Sequence, residues 1–177
     1  MVLICLLAPS MLWAADVFDF RNATWGMTKE QVKASENLPL DEENTYDLIY
    51  IMPPERNADE VQLWYEFDAV DIELKHAFIS YEYKEPLTER IYAEYLKLKT
   101  ELTAKYGLPY SEKEVFDERH TPQAFDENDK AAGVKGGYLI LNTEWRQARS
   151  KIELLSVPYG MPSEPSIFVM VYYHSDI

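Results

Sequence analysis

The sequence predicts an α+β fold, two helices packed on antiparallel β-sheet. Three observations carry that reading. Residues 88–106 repeat their apolar side chains at helical period. Residues 29–36 open with a full set of helix-start signals. The remaining regular segments switch to period two, and the last three follow one another over short connections, as an antiparallel meander does.

Length and charge bound the answer further. The chain has 177 residues, with 17 Lys and Arg against 31 Asp and Glu, a net charge of −14. Apolar residues make up 47% and charged ones 27%, the balance of a folded domain. A chain of this length buries roughly 70% of its unfolded surface, so it forms a core without disulfides or metal. The acidic excess speaks against nucleic acid and anionic membrane as partners, since both need clustered Lys and Arg.

Residues 1–15 carry no charge and end in Ala14-Ala15, just before the first acid, Asp16. They read as a secretory signal peptide, which places the mature chain in the periplasm or outside the cell. The run is too short to span a bilayer, and no other stretch predicts a membrane span. Cys5, the sole cysteine, lies inside it. The mature body, 16–177, is then cysteine-free: no disulfide, thiol nucleophile or cysteine metal site is expected.

Thr28 is a good N-cap, and Gln31 three residues on completes a capping box. Met27 and Val32 have the spacing of a hydrophobic staple, and Pro39 ends any continuation. In the second helix Leu87, Ile91, Tyr95, Leu98, Leu102 and Tyr106 form one stripe, opposite Glu89, Glu94, Lys97 and Glu101. Gly107 and Pro109 stop it. Strands are expected at 46–52, 61–69, 72–83, 113–116, 138–147, 151–157 and 167–174. Residues 119–137, with the acidic run 126–130 and three glycines, read as a mobile loop, and 158–165 as a second loop. Asp41-Glu42-Glu43 reads as a solvated turn. The order suggests one α+β domain with tandem α-β-β-β halves, 16–85 and 86–177.

Residues 20–32 (FRNATWGMTKEQV), with Trp25-Gly26-Met27-Thr28 at their centre, resemble the start of small uncharacterised exported bacterial proteins. In those a Trp-Gly-Met-Ser/Thr element follows the signal peptide and starts a helix. Trp145, Ile152-Glu153-Leu154 and Val169-Met170-Val171-Tyr172 are similar to their C-terminal strands. More remotely, Gly26-Met27-Thr28 and Gln31-Val32 look like the helix start of small lipoproteins of outer-membrane assembly. The tandem layout looks like the β-lactamase inhibitor protein fold. The resemblance implies an exported, non-catalytic interaction module and names no partner. The residues also have a purely structural reading: Phe20 and Trp25 as core, Gly26 as turn, Thr28 as cap.

The search for chemistry returns mostly negatives. His76, His120 and His174 form no HExxH or HxH spacing, so no metal site is expected. His174-Ser175-Asp176 are neighbours on a strand and point to opposite faces, which precludes a triad. No glycine-rich phosphate loop is present, and no cofactor is expected. Residues 126–131 begin like a calcium loop but fail at Lys130 and Ala131. No residue is assigned a catalytic role.

The weak ligand-binding candidates are Trp64, Glu66, Asp68, Tyr81 and Tyr83. Glu66 and Asp68 lie two apart, on one strand face with Trp64. Their backbone separation of about 6.6 Å is loosely that of a glycosidase pair. Aromatic residues make up 14% of the chain, and a sheet face around Trp64, Tyr81 and Tyr83 would suit a binding patch. The reading that follows is an exported envelope interaction module, not an enzyme. Its unknown protein or small-molecule partner would have basic character. The alternatives are a periplasmic hydrolase using Glu66 and Asp68, and a carrier of a metal or small ligand.

Overall fold

In the computed structural model, which describes residues 19–84, 88–116, 127–159 and 166–176, three helices accompany one eight-stranded antiparallel sheet. In chain order these are α1 (Lys29–Ser35), β1 (Leu40–Glu43), β2 (Asp47–Ile51), β3 (Glu60–Phe67), β4 (Leu74–Lys84) and α2 (Thr88–Tyr106). There follow β5 (Ser111–Phe116), α3 (Glu127–Lys135), β6 (Leu139–Arg146), β7 (Ser150–Tyr159) and β8 (Ser166–Ser175). The expected α+β class is seen. The expected leader, residues 1–15 with Cys5, lies outside the described residues, as do Leu87 and His120.

The strand order is β1-β2-β3-β4-β8-β7-β6-β5. Two meanders of four strands run in from opposite edges and meet at β4 and β8. There Lys84 pairs with Ser166 at one end and His76 with His174 at the other. Segments 16–85 and 86–177 thus contribute four strands each to one continuous sheet; the first has one more than the three expected there, and the second has the four expected.

Three departures from the sequence reading have physical causes. The count of two helices gives way to three, because α3 occupies part of the segment read as a loop. Its glycine is a packing residue, not a breaker: a Cβ on Gly133 would meet the Leu139 Cβ at 2.9 Å. Strand β1 covers the acids read as a turn; all four of its residues are exposed, so it carries no alternation to detect. Strand β7 runs through Pro158 to Tyr159, past the point where a loop was expected.

The helix starts and stops follow the residues that encode them. Thr28 Oγ1 accepts from the Gln31 N–H, and Gln31 Oε1 accepts from the Thr28 N–H at 2.8 Å, a complete capping box. Gly107, at φ +87°, closes α2 by donating to the Thr103 carbonyl, as a left-handed C′ residue does. The α2 stripe is buried at Ile91, Tyr95, Leu98 and Leu102, with Tyr106 packed against the same core. Tyr95 adds a 2.8 Å hydrogen bond to Thr143 on β6.

All three helices pack on one face of the sheet. Along β3, Val61, Leu63, Tyr65 and Phe67 point into the core there. Tyr81 and Tyr83 of β4, Leu139, Leu141, Thr143 and Trp145 of β6, and Ile152 and Leu154 of β7 lie on that side too. Trp25 joins the halves by donating from Nε1 to Ser150 Oγ at 2.9 Å. Phe20 does so by packing its ring 4.6 Å from that of Tyr173. The opposite face has no helix over it among the described residues.

Candidate functional site

Because strand side chains alternate, the open face is set by the even-numbered residues of β3, β4 and β8 and the odd-numbered ones of β2 and β7. At one level across the strands stand Ile49, Trp64, Phe78, Tyr172 and Glu153. The next level holds Asp47, Glu66, His76, His174 and Lys151.

The central feature is an aromatic ladder. The Trp64 and Phe78 rings stack at 5.2 Å with 15° between planes, and Phe78 and Tyr172 at 4.3 Å with 24°. Tyr172 in turn stacks on His174 at 5.5 Å. Cross-strand aromatic pairs of this kind add to sheet stability beyond area. Phe78 is only 5% exposed although no helix covers it, because Trp64 and Tyr172 flank it. The Trp64 indole is held in place along its own strand. Its Nε1 donates to Gln62 Oε1 at 2.9 Å, and Gln62 Nε2 donates to Glu60 at 2.7 Å.

At the β8–β7 end lies a polar cluster. His76 Nδ1 and His174 Nδ1 are hydrogen-bonded. His174 Nε2 lies 2.8 Å from Glu153 Oε2. Glu153 is also held by Lys151 at 2.9 Å and by Asn142. Burial works to raise its carboxyl, but those partners outweigh it and hold it below the usual range. No group of three His, Cys, Asp or Glu side chains among the described residues is placed to hold a metal ion.

At the β2–β3 end the charges are unbalanced. Glu66 and Asp47 are register partners. Burial first, and Asp47 second, push the Glu66 carboxyl above the usual range. Among the described residues Asp47, Glu60 and Glu66 have no cationic partner; the Asp47 carboxylate accepts from Asn44 and that of Glu60 from Gln62. The basic side chains nearer the other edge are paired, Arg146 with Glu144 and Lys151 with Glu153.

The structure divides the candidates read from sequence. Trp64 and Glu66 stand together on the open face. Tyr81 and Tyr83 do not join them: at 3% and 1% exposure they lie on the helix-covered face. Their hydroxyls donate to Glu55 and to the Arg56 carbonyl, fixing the chain between β2 and β3. Asp68 lies past the end of β3, not on a strand face with Glu66. Its Oδ1 accepts from the Val70 and Asp71 N–H groups, which hold its carboxyl low and build the turn into β4. Phe78, Tyr172 and the two histidines were not singled out as site residues. The spacings His76-x-Phe78 and Tyr172-x-His174 put each pair on one strand face. The β4–β8 register that joins the two pairs is not written in either strand.

No protein-family model, curated protein or solved structure matches the chain.

Proposed function

We propose that this chain is a bacterial envelope interaction module, exported by a leader at 1–15 and without catalytic activity of its own. Its contact surface is the helix-free face of the sheet, and its partner is a protein segment bearing Lys or Arg. The observation that carries this is the stacked Trp64–Phe78–Tyr172 ladder beside three acids, Asp47, Glu60 and Glu66, that have no cationic partner among the described residues. Stacked aromatic rings offer large contact area with little rotamer freedom to lose. Unpaired carboxylates beside them favour a cationic partner in both steering and register. The resemblance of residues 20–32 to exported bacterial proteins agrees with this reading.

The hydrolase alternative loses its pair, since Asp68 serves the turn. The metal-carrier alternative gains no ligand group among the described residues.

The test is site-specific photo-crosslinking in cells. A crosslinker at Ser80, between the ladder and Gln62, should capture a discrete protein band. Trp64→Ala should abolish that band, and a crosslinker at Glu101 on α2 should not produce it. A band equally strong from the helix side, or unmoved by Trp64→Ala, refutes the assignment of the face. Sequencing of the N-terminus from envelope material should start near Ala15 or Asp16; a retained Met1 refutes export. Glycoside substrates should show no turnover above that of Glu66→Gln.

A further inference from the structure

On the helix side, where the two meanders meet, a cavity of about 660 Å³ opens between residues 19–21, the end of α2 and the β6–β7 turn. That volume lies within the range of small-molecule pockets, roughly 300–1,000 Å³. Its apolar wall is formed by Phe20, Tyr106 and Tyr173, with Ile79 and Ile152 beside them, and Phe20 and Tyr173 are in ring contact. Its charged lining is Arg21, Lys105 and Arg149 against the single acid Asp19. That is three cations to one anion in a chain where acids outnumber bases 31 to 17.

Two of these cations are paired, Arg149 with Asp19 and Arg21 with Glu36, and Lys105 is left over. Asp19 is buried, accepts from the Trp25 N–H at 3.0 Å and pairs with Arg149 at 3.3 Å. Arg21 donates from Nε and one terminal nitrogen to Glu36, and the Tyr65 hydroxyl also lies beside its guanidinium. Lys105 has no carboxylate partner among the described residues; its ammonium rests 4.8 Å from the Tyr106 ring centroid. A last-turn lysine suits the helix dipole, but that does not place it on the rim of a cavity. The Tyr106 and Tyr173 hydroxyls share one hydrogen bond at 3.3 Å. Two hydroxyls carry two protons and this bond uses one, so the pair retains a donor. Burial first, then Tyr106, raises the Tyr173 hydroxyl and keeps it protonated.

We infer that this cavity is a binding site for a small organic acid: an aromatic body against Phe20, Tyr106 and Tyr173, and a carboxylate met by Lys105. The site is on the opposite side of the sheet from the proposed protein-contact face and is independent of that reading. Its ligand chemistry is also the reverse, an anion in place of a cation.

The probe is 2-naphthoate, titrated into the full chain by NMR and calorimetry, with neutral 2-naphthamide as the isostere. Naphthoate should shift resonances of Phe20, Tyr106 and Tyr173 and leave those of Trp64 and Phe78 unmoved. The amide should bind about tenfold more weakly, the loss of one charge-assisted contact. Lys105→Gln, an exposed substitution, should weaken naphthoate by a similar factor without changing the unliganded melting temperature. Tyr173→Phe should weaken it less and leave the acid–amide preference intact. No shift at millimolar naphthoate overturns the inference. So does equal binding of acid and amide, or a Lys105→Gln affinity equal to that of the parent chain.

Discussion

His76 Nδ1 and His174 Nδ1 face each other at 3.0 Å across the β4–β8 pair, so one imidazole must donate and the other accept. The contact exists only while at least one ring is neutral. Burial is the main force lowering both side chains below the ordinary histidine value, and the Lys151 ammonium lowers both further. On His76, Asp68 acts the other way and Lys75 adds to the lowering; on His174, Glu153 acts the other way. Net depression means that the unfolded chain takes up protons near pH 6.5 before the folded one does. Stability is therefore full above that value and declines as pH falls through it toward the folded-state values.

Replacing His174 with Gln removes one titrating ring of this pair. Denaturant unfolding from pH 7.5 to 5 should show a shallower decline for His174→Gln than for the parent. Parallel curves would mean that the pair is not depressed.

Glu66 has the opposite sign. Its carboxyl is raised, so the ionised form is disfavoured in the fold and costs stability at neutral pH. That cost is relieved as pH falls through the raised value. Glu66→Gln should accordingly raise the melting temperature at pH 7, with a gain that shrinks toward pH 4. A lower melting temperature at pH 7 would mean that Glu66 makes a stabilising contact instead.

What the sequence made legible was what is local. Thr28, Gln31 and Gly107 mark helix ends through neighbours within four residues, and the α2 stripe repeats within one element. Relations between distant strands were not legible. Trp64 and Phe78 are 14 residues apart and Phe78 and Tyr172 are 94 apart. Nothing in either strand alone states that they share a level of the sheet. The pairing of Trp64 with Tyr81 and Tyr83 failed for the same reason, since facing depends on register, and one residue inverts it. Helix α3 was missed because Gly133 was weighed by intrinsic preference and not by the space it must leave for Leu139.

The capping box sets the stability of α1. Thr28→Ala removes one acceptor and leaves the Gln31 N–H to water, at a cost of about 1 kcal/mol. In a chain of this size that is roughly 2–4 °C in melting temperature. Thr28→Ser should keep most of the stability, because the hydroxyl and not the methyl group is the acceptor. An unchanged melting temperature in Thr28→Ala would show that the cap contributes nothing measurable.

Gly133→Ala sets two effects against each other. Alanine in a helix interior is favoured over glycine by about 1 kcal/mol. The new methyl group would stand 2.9 Å from the Leu139 Cβ and 3.3 Å from the Tyr138 ring. Leu139 is fully buried, and its Cβ is fixed to the β6 backbone, so no rotamer change relieves the clash. The helix must lift from β6, and overpacking of this kind costs about 1–3 kcal/mol. The clash should win: Gly133→Ala should lower the midpoint of denaturant unfolding, while Lys135→Ala, exposed on the same helix, should leave it nearly unchanged. A raised midpoint in Gly133→Ala would mean that α3 has room above Leu139, and that the glycine is not what seats this helix on the sheet.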